Sequence, residues 1–183
     1  MFRDTGVGES VDMAHNVEIK ARLRDVQEQS RLAASLSDGS PELIAQEDTF
    51  FNVDHGRLKL RLLDPNHGQL IFYERPNQDG PKRSDYLISE ASDPENLKHV
   101  LELAYGIRGV VKKTRLLYLA GQTRIHLDDV QGLGHFMELE VVMRDGQSDE
   151  EGQAVAEDLM QKLGVQKEDL IEGAYMDLIE SRD

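Results

Sequence analysis

The chain has 183 residues, carries a formal net charge of −14 and contains neither cysteine nor tryptophan. The length indicates one domain, and the lack of cysteine excludes disulfides and cysteine-based zinc sites. No apolar run approaches the roughly 18 residues of a membrane span, and the negative charge argues against a general nucleic-acid binder. Binding of a small anionic ligand is not excluded, because it depends on the local charge of the site rather than on the net charge.

The N-terminal residues 1–12 are polar and contain several small residues, which is typical of a flexible tail. They lack the apolar core of a secretion signal, so we expect a cytoplasmic protein. Residues 13–183 contain no internal repeat and no low-complexity segment, and we expect them to form a single domain.

The first half of the domain is predicted to be mostly strands. His15–Arg24 alternates polar and apolar residues, which predicts a strand, and Asp25–Leu36 has the apolar spacing of a helix. Short strands bounded by turn residues are then predicted over Asp48–Val53, Arg57–Leu63 and Gln69–Arg75. These four strands suggest a meander.

The second half continues with a strand over Ser84–Ser89 and a helix that follows Pro94 and ends at Gly106. Three more strands follow, over Val110–Leu119, Gln122–Asp128 and His135–Arg144. A third helix has a capping box at Ser148 and Glu151 and ends at Leu163. The last segment, Asp169–Glu180, is predicted to be helical and is broken by Gly173. About eight strands joined largely by short turns favour an α+β fold, an eight-stranded antiparallel β-barrel with helices packed outside.

Charged residues recur at every second position on five of these strands, so each set shares one face of its strand. The sets are Glu18, Lys20, Arg22 and Arg24; Arg57, Lys59 and Arg61; Lys113 and Arg115; Arg124, His126 and Asp128; and Glu138 and Glu140. On one strand, this pattern is typical of a solvated surface. On five strands with apolar opposite faces, it indicates a charged barrel interior covered outside by helices.

A charged interior needs partners, because unpaired buried charges are costly. A triphosphate with a divalent metal would satisfy both signs, since phosphates bind lysine and arginine donors and Mg²⁺ or Mn²⁺ binds carboxylate oxygens.

Several segments, which follow one another along the chain in the family's order, resemble motifs of the CYTH superfamily of triphosphate tunnel metalloenzymes. Asn16–Lys20 resembles its ExExK signature, and residues 126–140 resemble its hLDxVxxLGxFxExE stretch. Leu58–Arg61, Lys113–Tyr118 and Ala174–Leu178 resemble its basic strand, its KxR strand and the SYxxLL ending of the class IV adenylyl cyclase branch. The resemblance, over about residues 14–180, implies an eight-stranded tunnel that holds a triphosphate.

The resemblance also implies roles for individual residues, including catalytic roles for Lys113 and Glu138. Metal binding is expected of Glu18, Asp128, Glu138 and Glu140, with Mg²⁺ or Mn²⁺ as the ion. Substrate binding is expected of Lys20, Arg22, Lys59, Arg61, Arg75, Lys82, Lys113, Arg115 and Arg124. One departure is Asn16, which stands where the signature has its first glutamate and brings no charge to the metal site. His126 and His135 lie near the acidic positions, but we assign them no ligand role, and we interpret Tyr175 as a core aromatic.

Three functions remain open at this point. One is metal-dependent hydrolysis of tripolyphosphate or an organic triphosphate such as thiamine triphosphate or a nucleotide. The second is a class IV adenylyl cyclase that converts ATP to cyclic AMP and pyrophosphate, and the third is a non-catalytic module for a polyphosphorylated ligand. The expected partner is a small-molecule triphosphate, with neither nucleic acid nor membrane, and a homodimer is an open alternative to a monomer.

Overall fold

The computed structural model describes residues 13–182, so the predicted tail over residues 1–12 lies outside the described residues. Eight strands and four α-helices follow one another along the chain. In order they are β1 (Ala14–Arg22), α1 (Val26–Leu36), β2 (Glu42–Phe51), β3 (Arg57–Asp64), β4 (His67–Glu74), β5 (Lys82–Ala91), α2 (Pro94–Tyr105), β6 (Ile107–Ala120), β7 (Thr123–Val130), β8 (Gly134–Val142), α3 (Asp149–Lys162) and α4 (Tyr175–Glu180). Among these residues, no helix has both the length and the apolar character that a membrane crossing requires.

The strands form a closed antiparallel barrel in the order β1-β5-β4-β3-β2-β6-β7-β8. This confirms the predicted eight-stranded α+β barrel. The predicted meander of the first four strands is wrong in one respect, because β1 does not pair with β2. It lies instead between β5 and β8, where Glu18 is opposite Lys82 on one side and Glu140 on the other.

On most strands the outward face is apolar and is covered by a helix. Val17, Ile19, Ile125 and Leu139 are buried with residues of α1 and α3, such as Ala33 and Leu159, in the largest core cluster. Helix α2 covers β2, β3 and β4, and packs Leu101 against Phe51 and Leu60. Because side chains alternate along a strand, the charged positions next to these apolar residues point into the barrel.

Strand β2 begins six residues earlier than predicted, at Glu42 rather than Asp48. Its first half pairs with the 14-residue strand β6, from Glu42 opposite Leu117 onward. The segment was missed because polar and apolar residues do not alternate clearly along it. Its apolar Leu43 is 68% exposed and therefore marks no buried face.

The C-terminal segment is helical over less of its length than predicted. Only a 3₁₀ turn at Lys167–Asp169 and α4 are helical. Between them the chain is bonded to the part of β1 that β5 does not reach: Leu170 bridges to Ala21, and Ile171 N donates to Lys20 O at 2.9 Å. These contacts bring Tyr175 to one end of the barrel, where it packs against Phe136 with ring centroids 5.0 Å apart.

Candidate active site

The barrel encloses a cavity lined by side chains from all eight strands and from the C-terminal segment. Strand β7 contributes only Arg124 to this lining. Seven basic and four acidic side chains line it, an excess of positive charge in a chain of net charge −14. They are Lys20, Lys59, Arg61, Arg75, Lys113, Arg115 and Arg124, with Glu18, Asp48, Glu138 and Glu140. The cavity is therefore suited to an anion, although the whole protein is acidic.

One cluster of charges lies beneath the cavity around Asp128, whose side chain is fully buried. Lys113 donates to it at 3.0 Å, Arg115 donates two bonds at 2.6 Å, and the Tyr175 hydroxyl donates at 3.0 Å. Burial alone would raise the pKa of Asp128, but Lys113 and Arg115 hold it at about 2. Asp128 thus fixes the positions of two cations.

A second cluster, on strands β2 and β3 next to β6 in the barrel, has the same design. Asp48 on β2 accepts one bond from Lys59 at 2.8 Å and two from Arg61 at 2.8 and 2.9 Å. Burial works against the charge of Asp48, yet Lys59 and Arg61 hold its pKa well below the usual range. Burial and the neighbouring Arg61 lower the pKa of Lys59 to about 8.

Three glutamates form the acidic part of the cavity. Glu138 is bonded to Lys20 and Arg115, and Glu140 Oε2 accepts from Arg124 at 3.3 Å. Burial opposes the charge of Glu138, but Lys20 and Lys113 lower its pKa far below the ordinary value. In contrast, burial raises the pKa of Glu18 despite the nearby Arg75.

Two buried polar groups in the cavity are left without hydrogen bonds. The Arg75 side chain is 3% exposed, and its Nη1 lies 3.4 Å from Glu18 Oε2. Within residues 13–182, neither Nη1 nor Nε of Arg75 has a hydrogen-bond partner, and neither does Asn16 Oδ1. Buried polar groups are usually satisfied, so these atoms indicate that the cavity is built for a ligand.

The structure places most predicted site residues together, with three exceptions. Arg22 is exposed, lies over the Phe136 ring at 5.1 Å and is outside the cavity lining. Lys82 is buried outside the cavity lining, and its Nζ donates to three backbone carbonyls, those of Gln78, Ile171 and Glu172. Asp128 lies beneath the cavity, where Lys113, Arg115 and Tyr175 occupy its oxygens.

These positions argue against the roles that the sequence suggested for the three residues. Lys82 is held by backbone carbonyls of the C-terminal segment, and Arg22 lies outside the cavity lining. Asp128 is a counterion of two phosphate-binding candidates rather than an open oxygen ligand.

Sequence reasoning missed several residues of the cavity. Asp48 was predicted to begin a strand but was not assigned to the cavity. It lies two residues before Phe50, which was the signal that both side chains share one face of the strand, and both line the cavity. Tyr175 lines the cavity and lies under Lys20, whose Nζ is 3.6 Å from the ring centroid. Tyr73 and Tyr86 belong to no motif in the sequence, and they reach the cavity because the sheet closes into a barrel.

His126 was left without a role, and the structure places it among the glutamates. It is 3% exposed, and its Nδ1 lies 3.9 Å from Glu138 Oε2 and 3.7 Å from Glu140 Oε1. One ligand atom from each of these three residues falls within 4.8 Å of the others. Burial and Arg115 lower the pKa of His126.

The donor set fits a divalent cation. Carboxylates of Glu18, Glu138 and Glu140 face one cavity, and like charges this close are stabilised by a cation between them. Oxygen ligands of this kind suit Mg²⁺ and Mn²⁺, which also accept phosphate and water as ligands.

Comparison with known proteins gives one family match and several structural neighbours. The sequence profile described as the CYTH domain matches residues 14–175. A Methanocaldococcus jannaschii protein named "putative adenylate cyclase" is 25% identical over 170 residues, which are 88% of this chain and 97% of that protein.

Two solved structures show the same fold. A Pyrococcus horikoshii protein superposes with a TM-score of 0.79 at 24% identity, covering 89% of this chain and 98% of the other. A Hippeastrum protein, described as an adenylyl cyclase candidate with a dominant triphosphatase activity, superposes with a TM-score of 0.66 at 16% identity, covering 92% and 96%.

Proposed function

Because the chain belongs to the CYTH domain family, we propose that it is a divalent-metal-dependent enzyme that hydrolyses a small-molecule triphosphate inside its barrel. The observation that carries this proposal is the cavity itself, with seven basic side chains that converge on it beside three glutamates. Arg75 adds to it, since two of its buried nitrogens have no hydrogen-bond partner among the described residues.

The basic residues would bind the phosphates along the barrel. Lys59 and Arg61 act from β3, and Lys113 and Arg115 act from β6, each pair held by a buried aspartate. Side chains held in place before the ligand arrives lose little freedom on binding, so they stabilise the charge of a phosphoryl-transfer transition state effectively.

The glutamates would hold the metal. Glu138 is paired with Lys20 and Arg115. When these cations turn to phosphate oxygens, the Glu138 oxygens become available to a cation. A bound Mg²⁺ or Mn²⁺ polarises phosphorus–oxygen bonds and neutralises phosphate charge. Metal and triphosphate are thus expected to bind cooperatively.

A second candidate is the class IV adenylyl cyclase reaction, which the name of the Methanocaldococcus jannaschii relative favours. The Hippeastrum protein, described by its triphosphatase activity, favours hydrolysis. The two reactions differ in the phosphorus that is attacked, and the same basic walls serve both.

Product analysis separates these reactions. Purified protein is incubated with Mg²⁺ or Mn²⁺ and with ATP, thiamine triphosphate or tripolyphosphate, and the products are followed by phosphorus NMR. Hydrolysis releases orthophosphate and leaves a diphosphate, whereas the cyclase reaction releases pyrophosphate and cyclic AMP. Absence of turnover with every substrate, combined with tight binding, would leave a binding module.

The Glu138→Gln variant tests whether the metal site is catalytic. The amide keeps the shape of the side chain and removes its charge, so triphosphate binding should persist while turnover falls about a hundredfold or more, the scale of losing one group that stabilises transition-state charge. Glu157→Gln, an exposed position on α3, is the matched control. Full turnover in Glu138→Gln, or in EDTA, would show that no metal at these carboxylates takes part.

A further inference from the structure

The histidine among the cavity glutamates has no role in the proposed hydrolysis, yet its surroundings are those of a ligand. We propose that His126, Glu138 and Glu140 form a mixed nitrogen–oxygen metal site that selects Mn²⁺, Co²⁺ or Zn²⁺ over Mg²⁺. The inference deepens the proposed function by naming the metal class, but binding of the ion at this site does not require that triphosphate be the substrate.

The first support is the geometry of the three side chains. His126 Nδ1 is 3.7 Å from Glu140 Oε1 and 3.9 Å from Glu138 Oε2. Neighbouring ligands of an ion with bonds of about 2.1 Å lie roughly 3 Å apart. Each nitrogen–oxygen pair is therefore too far apart for a hydrogen bond of its own, and each of these two distances needs to shorten by less than about 1 Å for the atoms to share one ion.

The second support is the unsatisfied nitrogen. His126 is 3% exposed, and its Nδ1 has no hydrogen-bond partner among residues 13–182. A buried polar atom without a partner is uncommon and calls for a ligand. Across the strand pair, His126 is directly opposite Glu138, so the backbone of β7 and β8 holds the ring against the carboxylate.

The third support is the arrangement of the glutamate oxygens. Glu140 directs its other oxygen, Oε2, to Arg124, so Oε1 remains for the ion. Glu138 Oε2 is shared with Arg115, so a metal ion must compete with that arginine.

The ligand set decides which metals bind well. Mg²⁺ is a hard ion that takes oxygen ligands almost throughout. Mn²⁺, Co²⁺ and Zn²⁺ accept imidazole together with carboxylates, with affinities for such mixed sites that rise from Mn²⁺ to Co²⁺. One nitrogen ligand among oxygens thus shifts the preference of the cavity away from Mg²⁺.

Pulsed electron paramagnetic resonance of bound Mn²⁺ tests the proposal, because a directly bonded nitrogen couples to the Mn²⁺ spin. The wild-type protein, first without substrate and then with tripolyphosphate, should show this nitrogen coupling. His126→Gln should lose it and bind Mn²⁺ at least about tenfold more weakly, since even outer-sphere partners of a metal contribute about 10- to 100-fold. Its Mg²⁺ affinity should change little, because glutamine offers an oxygen in place of the nitrogen.

His135→Gln is the matched control. His135 lies on the neighbouring strand β8, is 49% exposed at its side chain and faces Asp129 with Nδ1 3.6 Å away. This variant should keep the wild-type coupling and affinity.

Two results would overturn the proposal. In the first, the wild type binds Mn²⁺ without nitrogen coupling, at a site that Glu140→Gln abolishes. In the second, the wild type binds no Mn²⁺, with or without tripolyphosphate. The wild-type spectrum decides even if His126→Gln misfolds. Calorimetry of metal-free tripolyphosphate binding on the same samples tests the proposed function separately. Triphosphate binding without nitrogen coupling would contradict only the metal proposal. Nitrogen coupling without triphosphate binding would support the metal proposal and contradict the proposed function.

Discussion

At the scale of single residues, two buried aspartates organise the basic walls of the barrel. Asp48 and Asp128 each accept hydrogen bonds from one lysine and one arginine. Buried charges are tolerated when they are paired and fully hydrogen-bonded. Each aspartate therefore allows two cations to stay inside the barrel, close enough to a ligand to bind it.

Removing the charge of Asp128 should destabilise the fold. Asp128→Asn removes the fully buried counterion of Lys113 and Arg115 and leaves Glu138 beside them, and breaking such a buried pair costs about 3–5 kcal/mol. Urea unfolding at neutral pH measures the loss. Asp129→Asn is the control, because this neighbouring side chain is 66% exposed, and equal stabilities of the two variants would contradict the pairing.

Lys59 should make triphosphate binding depend on pH. Its pKa of about 8 means that the charged form of Lys59, which phosphate needs, is present below that pH and is lost above it. Affinity for tripolyphosphate should fall above pH 8 by up to about tenfold per pH unit for this one proton.

The Lys59→Arg variant isolates this effect, because arginine keeps its charge throughout this range. Calorimetry at about pH 7 and about pH 9 should show a smaller loss of affinity in Lys59→Arg than in the wild type, since titration of the ligand itself is common to both. An identical loss would mean that Lys59 does not bind phosphate.

How much of the site the sequence could predict depends on strand alternation. Lys20, Lys59, Arg61, Lys113 and Arg115 were predicted to face inward because each lies at alternate positions beside an apolar face, and all line the cavity. Alternation gives the face of a strand but not the height along the barrel. Arg22 shares a face with Lys20 but lies outside the cavity lining. The role expected of Lys82 came from the resemblance, which does not reveal that its Nζ donates to backbone carbonyls of a segment far away in the sequence.

At the scale of elements, the helices were predictable because their ends carry local signals. The Asp25, Asp93 and Ser148 caps accept the expected backbone hydrogen bonds. The start of β2 and the extended residues before α4 depend instead on pairing with β6 and β1. Such long-range pairing leaves no local pattern in the sequence.

The docking of α3 on the barrel gives a prediction at this scale. A Cβ at Gly152 would lie 2.5 Å from Met143 Sδ and 2.9 Å from Val17 Cγ2. Overpacking costs about 1–3 kcal/mol, while alanine gains about 1 kcal/mol over glycine in a helix. Gly152→Ala should therefore lower stability by up to about 2 kcal/mol without changing tripolyphosphate affinity, because α3 lies outside the cavity.

Urea unfolding compares this variant with Gln153→Ala, an exposed position on the same helix. The control should be neutral or slightly stabilising. A Gly152→Ala protein more stable than the wild type would show that α3 is not packed closely on β1.

At the scale of the whole molecule, the acidic surface and the basic cavity have opposite effects on an anion. The net charge of −14 repels polyanions in general, whereas the excess of basic side chains in the cavity attracts a ligand that fits inside. Specific binding should thus depend on the cavity residues and not on surface cations.

Calorimetric titration of tripolyphosphate, without metal, tests the central claim that the barrel binds a triphosphate. The wild type should bind at one site, and Arg61→Ala should weaken that binding by about 1.5–3 kcal/mol, the range for a hydrogen bond to a charged group. Arg31→Ala, which removes an exposed arginine paired with Glu28 on α1, should bind as the wild type does. Absence of binding by the wild type, or equal affinity in Arg61→Ala and Arg31→Ala, would contradict the account.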